Sequence, residues 1–132
     1  MQIEPSERKA LLAAIDKELS RRRLDSYAPY KKQRDFHDAG DTHRERLFMA
    51  GNQLGKTVAG AAEMAIHLTG KYPDDWKGRR FSKPIAAWAS GVTGESVRDT
   101  TQRLLVGRPG EYGTGMIPAD CIVGEPKRAM GV

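Results

Sequence analysis

The stretch "RERLFMAGNQLGKTVAGAAEMAIHLTG", residues 44–70, decides how the rest of this chain is read. Leu47-Phe48-Met49 rises out of charged residues and reads as a buried strand, while Lys56 to about Thr69, rich in Ala, Met, Ile and Leu, reads as a helix packed closely on a sheet. Between the two lies a loop with Gly51 and Gly55. Strand, glycine-containing loop and helix are, in that order, the context of a phosphate-binding loop. In the reference pattern G-x-x-x-x-G-K-[ST], backbone N–H groups cradle the phosphates, the lysine reaches the β- and γ-phosphates and the hydroxyl binds magnesium. Gly55, Lys56 and Thr57 match it, but the position of the first glycine holds Ala50, followed at once by Gly51. Alanine is tolerable there if the backbone has negative φ and intolerable if φ must be positive. The plainer reading of Gly-Lys-Thr is a helix start, a glycine turn with a threonine in the first turn. The flanking patterns, and the positive end of the helix dipole, favour phosphate binding.

Upstream, residues 6–23 read as an amphipathic helix: Ser6 can cap it, and Leu11, Leu12, Ile15 and Leu19 recur at helical spacing. Tyr27, Pro29 and Tyr30 interrupt it, and "KKQRDFHDA" reads as a short helix before a Gly40-Asp41 turn. Gln33 sits in that segment. A glutamine amide can donate to and accept from neighbouring groups on an adenine edge, with Tyr27, Tyr30 and Phe36 as a stacking face; the plainer reading is a surface glutamine beside core aromatics.

Downstream, "KYPDDWKGRRFSK" has the content of an excursion loop, "PIAAWAS" reads as a second strand, and "GVTGESVRDTTQRLL" reads as a helix capped by Thr93 with Val97, Leu104 and Leu105 apolar. In the Gly- and Pro-rich tail from Gly107, only "CIV" suits a short strand. Strand and helix alternating twice point to the α/β class, a parallel sheet flanked by helices.

With 132 residues the chain fits one domain of ordinary size, and 39% hydrophobic against 30% charged residues is the balance of a soluble globular protein. No apolar run approaches the ~20 residues that span a bilayer. Charges interrupt the apolar positions of the first 23 residues, unlike a secretory signal, so a cytoplasmic place with no membrane association is expected. One cysteine, Cys121, and three scattered histidines give no zinc spacing. The net charge of +5, with runs at Arg21–Arg23, Lys31-Lys32 and Arg79-Arg80, permits a polyanion partner, though short basic runs also read as solvated surface.

Taken together, "YAPYKKQRDFH", the 44–73 segment, "WKGRRF" and "TGESVRDTTQRLLVG" resemble the N-terminal part of the ATPase domain of tailed-bacteriophage terminase large subunits, the motors that package viral DNA. The likeness runs from about Tyr27 to Val132. It implies a partial P-loop NTPase fold over residues 27–132, preceded by an N-terminal helical extension over 1–26. It also implies an irregular phosphate loop in which the first glycine is not demanded, so that Ala50, Gly51, Asn52, Gln53, Leu54, Gly55, Lys56 and Thr57 would bind ATP, Lys56 catalytically at the β/γ-phosphates and Thr57 through Mg2+. Gln33 would read adenine. Some terminases carry an arginine where this chain has Asn52; that charge would then come from Arg79, Arg80, Arg98 or a neighbouring subunit. The family's hydrophobic strand ending in Asp and Glu, and its nuclease domain, find no match after Thr57. The expectation is a chain that binds nucleotide without turnover, with double-stranded DNA, a terminase small subunit, a portal protein and further copies of itself as partners in the bacterial cytoplasm. The alternatives are a non-catalytic prophage remnant or interaction module, and a stand-alone P-loop kinase, against which the upstream glutamine counts.

Overall fold

The computed structural model describes residues 3–51 and 55–127. Helix α1 (Pro5–Ser20) begins with proline in its first turn, where a missing N–H costs nothing, and Glu4 rather than Ser6 precedes it, without a side-chain cap. Its apolar stripe packs on nothing described: no α1 residue is buried, and Leu19 is 60% exposed. A single 3₁₀ turn (Arg23–Ser26) follows and turns Leu24 into the core.

Helix α2 (Lys31–Asp38) starts where the backbone N–H of Tyr30 donates to Gln33 Oε1 at 3.1 Å. Helix α3 (Lys56–Thr69) is bounded by two glycines in the left-handed region, Gly55 (φ +76°) before it and Gly70 (φ +69°) after it. Gly70 N–H returns to the Ile66 carbonyl at 2.9 Å, a C-terminal glycine cap. The buried face of α3 is mostly alanine, Ala59, Ala61, Ala62 and Ala65 with Ile66, so neighbouring segments approach its backbone closely.

A short helix α4 (Gly94–Ser96) runs through a π-helical turn (Val97–Gln102) into α5 (Arg103–Val106). Thr93 starts it with a reciprocal cap: its Oγ1 accepts from Ser96 N–H at 3.1 Å, and its own N–H donates to Ser96 Oγ at 3.2 Å. The last carbonyls of α5 would be orphaned; instead the chain doubles back, and Met116, Ile117 and Gly113 N–H donate to the Leu104, Leu105 and Val106 carbonyls at 2.7, 2.9 and 2.8 Å. Gly115 permits this, since a Cβ there would lie 2.4 Å from the Leu105 carbonyl carbon and oxygen. The core gathers Leu24, Ala61, Ala62, Ala65, Ile66 and Met116, with Tyr27, Val58, Tyr72 and Trp76 against it.

The parallel sheet expected from the sequence, and with it the α/β class and the partial P-loop NTPase fold, is not what the chain adopts: the described residues form helices and turns, with no strand among them. Residues 45–51 and 84–91 carry no regular structure, and Cys121 closes a 3₁₀ turn (Ala119–Cys121) instead of opening a strand. A strand exists only by pairing, and neither segment has a ladder partner among the described residues. Short apolar runs mark burial and not the element that buries them. Here they do not even mark burial: Leu47 is 83% exposed, Met49 72% and Trp88 95%. Only Phe48 of the first run turns inward, 5.0 Å from the Phe36 ring.

Candidate functional site

The loop before α3 is tied at both ends. Lys56, in the first turn of α3, reaches back so that its Nζ donates to the Ala50 carbonyl at 2.6 Å. Gln33 Nε2 donates to the Gly55 carbonyl at 2.9 Å, while its Oε1 accepts from Tyr30 N–H. Because one neighbour can only accept and the other can only donate, the orientation of the amide is determined. Gln33 is buried, and a Cβ on Gly55 would stand 2.6 Å from its Nε2, so this position needs glycine for space as well as for its φ.

The structure thus brings Gln33, Ala50, Gly55 and Lys56 together, with Gly51 exposed at the loop entry and Thr57 exposed on α3. Asn52, Gln53 and Leu54 lie outside the described residues. The proposed aromatic face does not gather: Tyr30 stays beside Gly55, but Tyr27 bonds His37 and Phe36 packs on Phe48 beneath the Arg46 guanidinium, 4.5 Å from its ring centroid. The candidate arginines are engaged locally. Arg80 Nη2 donates to the Pro73 and Trp76 carbonyls, both at 3.2 Å, Arg79 lies over Phe81, and Arg98 Nε donates to Asp99 at 2.8 Å.

Behind the loop lies a buried polar cluster that sequence reading missed. Glu63 Oε2 accepts from His37 Nδ1 at 2.6 Å and Arg46 Nη1 at 3.1 Å, and Oε1 accepts from Arg46 Nη2 and from His67 Nε2 at 3.3 Å. With His37 Nδ1–H and His67 Nε2–H as donors to the carboxylate, Tyr27 donates to His37 Nε2 at 2.9 Å and Tyr72 to His67 Nδ1 at 2.9 Å, while Tyr72 accepts from Phe81 N–H at 2.8 Å. Arg46 Nη1 also donates to the Phe36 carbonyl at 2.7 Å, and Gly40 leaves room for the guanidinium, whose Cζ would lie 2.9 Å from a Cβ there. Burial alone would push the Glu63 carboxyl up; hydrogen bonds from His37, His67 and Arg46, together with the Arg46 charge, outweigh it and hold the group well below the usual carboxylate range. Burial, with the Glu63 and Tyr30 charges, pushes the Tyr27 hydroxyl up to about 12. The cluster's donors saturate Glu63, so it fastens α2, residue 46, α3 and the 72–81 segment to one another. The sequence held a signal for it: Ala59, Ala62, Glu63 and Ile66 follow the i, i+3, i+4, i+7 pattern, which puts a glutamate in a buried register that demands donors.

Residues 47–130 match the family described as terminase large subunit, T4likevirus-type, N-terminal. The chain belongs to the terminase large-subunit family. It is also similar to the terminase large subunit of Salmonella phage P22, with 50% identity over 115 residues, covering 76% of this chain and 23% of that protein. This terminase chain therefore spans about a quarter of the length of the curated relative it matches. No solved structure matches it. Among the described residues no His, Cys, Asp and Glu group is suited to hold a metal ion, and no helix is long and apolar enough to cross a membrane.

Proposed function

We propose that residues 50–57 bind the phosphates of Mg-ATP, and that the chain is the nucleotide-binding N-terminal part of a terminase large subunit that drives DNA packaging. The observation that carries the reading is the closure of the loop by Lys56, whose ammonium stands 2.6 Å from the carbonyl at the other end of it. An ammonium held on a neutral carbonyl at a helix N-terminus gains by exchanging that acceptor for a phosphate oxygen, a charged one. The other groups present fit a phosphate as well. The first-turn N–H groups of α3 have no acceptor within the helix, and the Thr57 hydroxyl is exposed, with no hydrogen bond among the described residues.

When bound, Mg-ATP supplies a γ-phosphoryl group whose hydrolysis releases the free energy a motor uses. Lys56 is the phosphate contact and Thr57 the magnesium-side hydroxyl in this reading. Gln33 has a role visible without nucleotide, holding the Gly55 carbonyl and so the turn into α3; in this reading it also reads adenine. By itself this chain binds nucleotide without turnover, since no hydrophobic run ending in Asp and Glu follows Thr57 to hold magnesium and activate water. Double-stranded DNA, a small subunit and a portal protein as partners belong to the same proposal and rest on family membership.

Calorimetric titration of Mg-ATP into the purified chain, beside Lys56→Ala, tests it, with phosphate release assayed on the same samples. The expected result is saturable binding that Lys56→Ala removes, with no phosphate release from either. A folded wild-type chain that takes up no heat from Mg-ATP would overturn the reading.

A further inference from the structure

A cavity of about 830 Å³ lies away from the phosphate loop. It lies between the C-terminal end of α1 and the segment from the π-helical turn to Thr114, and five cations line it: Lys17, Arg21 and Arg23 from one side, Arg103 and Arg108 from the other. All five are exposed, and none makes a salt bridge or a side-chain hydrogen bond among the described residues. Against them stand two acids, Asp99 and Glu111, and Asp99 is already neutralised by Arg98, at 2.8 and 3.2 Å. Five cations against two acids leave the cavity wall net positive, a potential that attracts an anionic occupant. The α1 C-terminus offers about half a negative charge, too little to balance five.

We propose that this cavity is a binding groove for the phosphodiester backbone of nucleic acid, separate from the phosphate loop. Four of the five cations are arginines, whose planar fork pairs with phosphate oxygens two at a time. A polymer fits better than a small anion because the basic surface continues: Tyr112 lines both this cavity and a neighbouring one of about 400 Å³, whose wall adds Lys127. The π-helical turn (Val97–Gln102) sets the groove wall, and such turns concentrate at functional sites. The choice of nucleic acid over an acidic protein segment rests in part on the DNA-packaging reading; the groove itself does not.

The test is fluorescence anisotropy of a short labelled duplex DNA against the full chain over a range of salt. Arg21→Gln/Arg103→Gln should weaken binding by about tenfold or more and lower the log–log salt slope by about 2, roughly one unit for each phosphate no longer neutralised. Lys31→Gln/Lys32→Gln on α2 should stay within about twofold and keep the slope. Both sites are exposed, and unchanged helical circular dichroism would establish that the variants fold. Calorimetry of Mg-ATP on the same groove variants separates this proposal from the nucleotide reading, because groove substitutions should leave ATP binding unaltered. Equal losses in both double variants, no DNA binding by the wild type, or competition by polyglutamate but not by DNA would each overturn the proposal.

Discussion

Four hydrogen-bond donors converge on Glu63, one from His37, one from His67 and two from Arg46, and a carboxylate so held behaves as a fastener rather than a reagent. Replacing it with Gln keeps the shape, removes the charge and leaves Arg46 without its counter-ion. Breaking a fully buried pair costs about 3–5 kcal/mol; with Arg46 partly exposed, Glu63→Gln should destabilise by about 2–3 kcal/mol in urea unfolding. The pH dependence has a definite sign. Because the folded pKa of Glu63 lies below its ordinary 4.5, its contribution is complete above that value and is lost as pH falls through the folded one, so the wild type should lose stability in acid more steeply than Glu63→Gln. Tyr27 works from the other end: with its hydroxyl raised from 10.0 to about 12, it stabilises fully below pH 10 and ceases to do so by about 12, and Tyr27→Phe should flatten the alkaline limb. Gly55 and Lys56 stand out in sequence through the Gly-Lys-Thr pattern; the Glu63 cluster has no such signature, since its members come from separate segments and only the helical register of Glu63 betrays it.

Among the elements, α2 and α3 lie where the sequence places them, because proline, glycine and alanine act locally. α1 forms over Pro5–Ser20, three residues short of the expected end, and buries no face, since periodicity specifies which face would bury and not whether a partner is there. The strands failed for a related reason: pairing is a non-local property that a short apolar run does not encode. Two glycines give opposed predictions. Gly60 lies in the middle of α3 with nothing within 4 Å of the point where a methyl would stand, so Gly60→Ala should raise stability by about 0.8–1 kcal/mol, seen as a higher melting temperature. Gly115→Ala drives a methyl into the Leu105 backbone and should lower it, detaching the 113–117 segment from α5.

For the molecule as a whole, an alanine-rich core and exposed Leu47, Met49, Trp88 and Val92 describe a chain whose apolar surface is only partly used. The two tryptophans report on this directly. Acrylamide should quench Trp88 as freely as a small solute while Trp76, packed against His37 and Tyr72, is protected; Trp88→Phe should remove the accessible component alone. Family membership was legible because the motifs are dense between residues 47 and 130, and residues 50–57, the proposed phosphate loop, lie inside that match. Whether this loop takes up nucleotide is best decided by amide hydrogen exchange of the full chain with and without Mg-ATP. Slowed exchange centred on residues 50–58, abolished by Lys56→Ala, is expected; unchanged exchange there at saturating Mg-ATP, or protection confined to other segments, would contradict nucleotide binding by the loop.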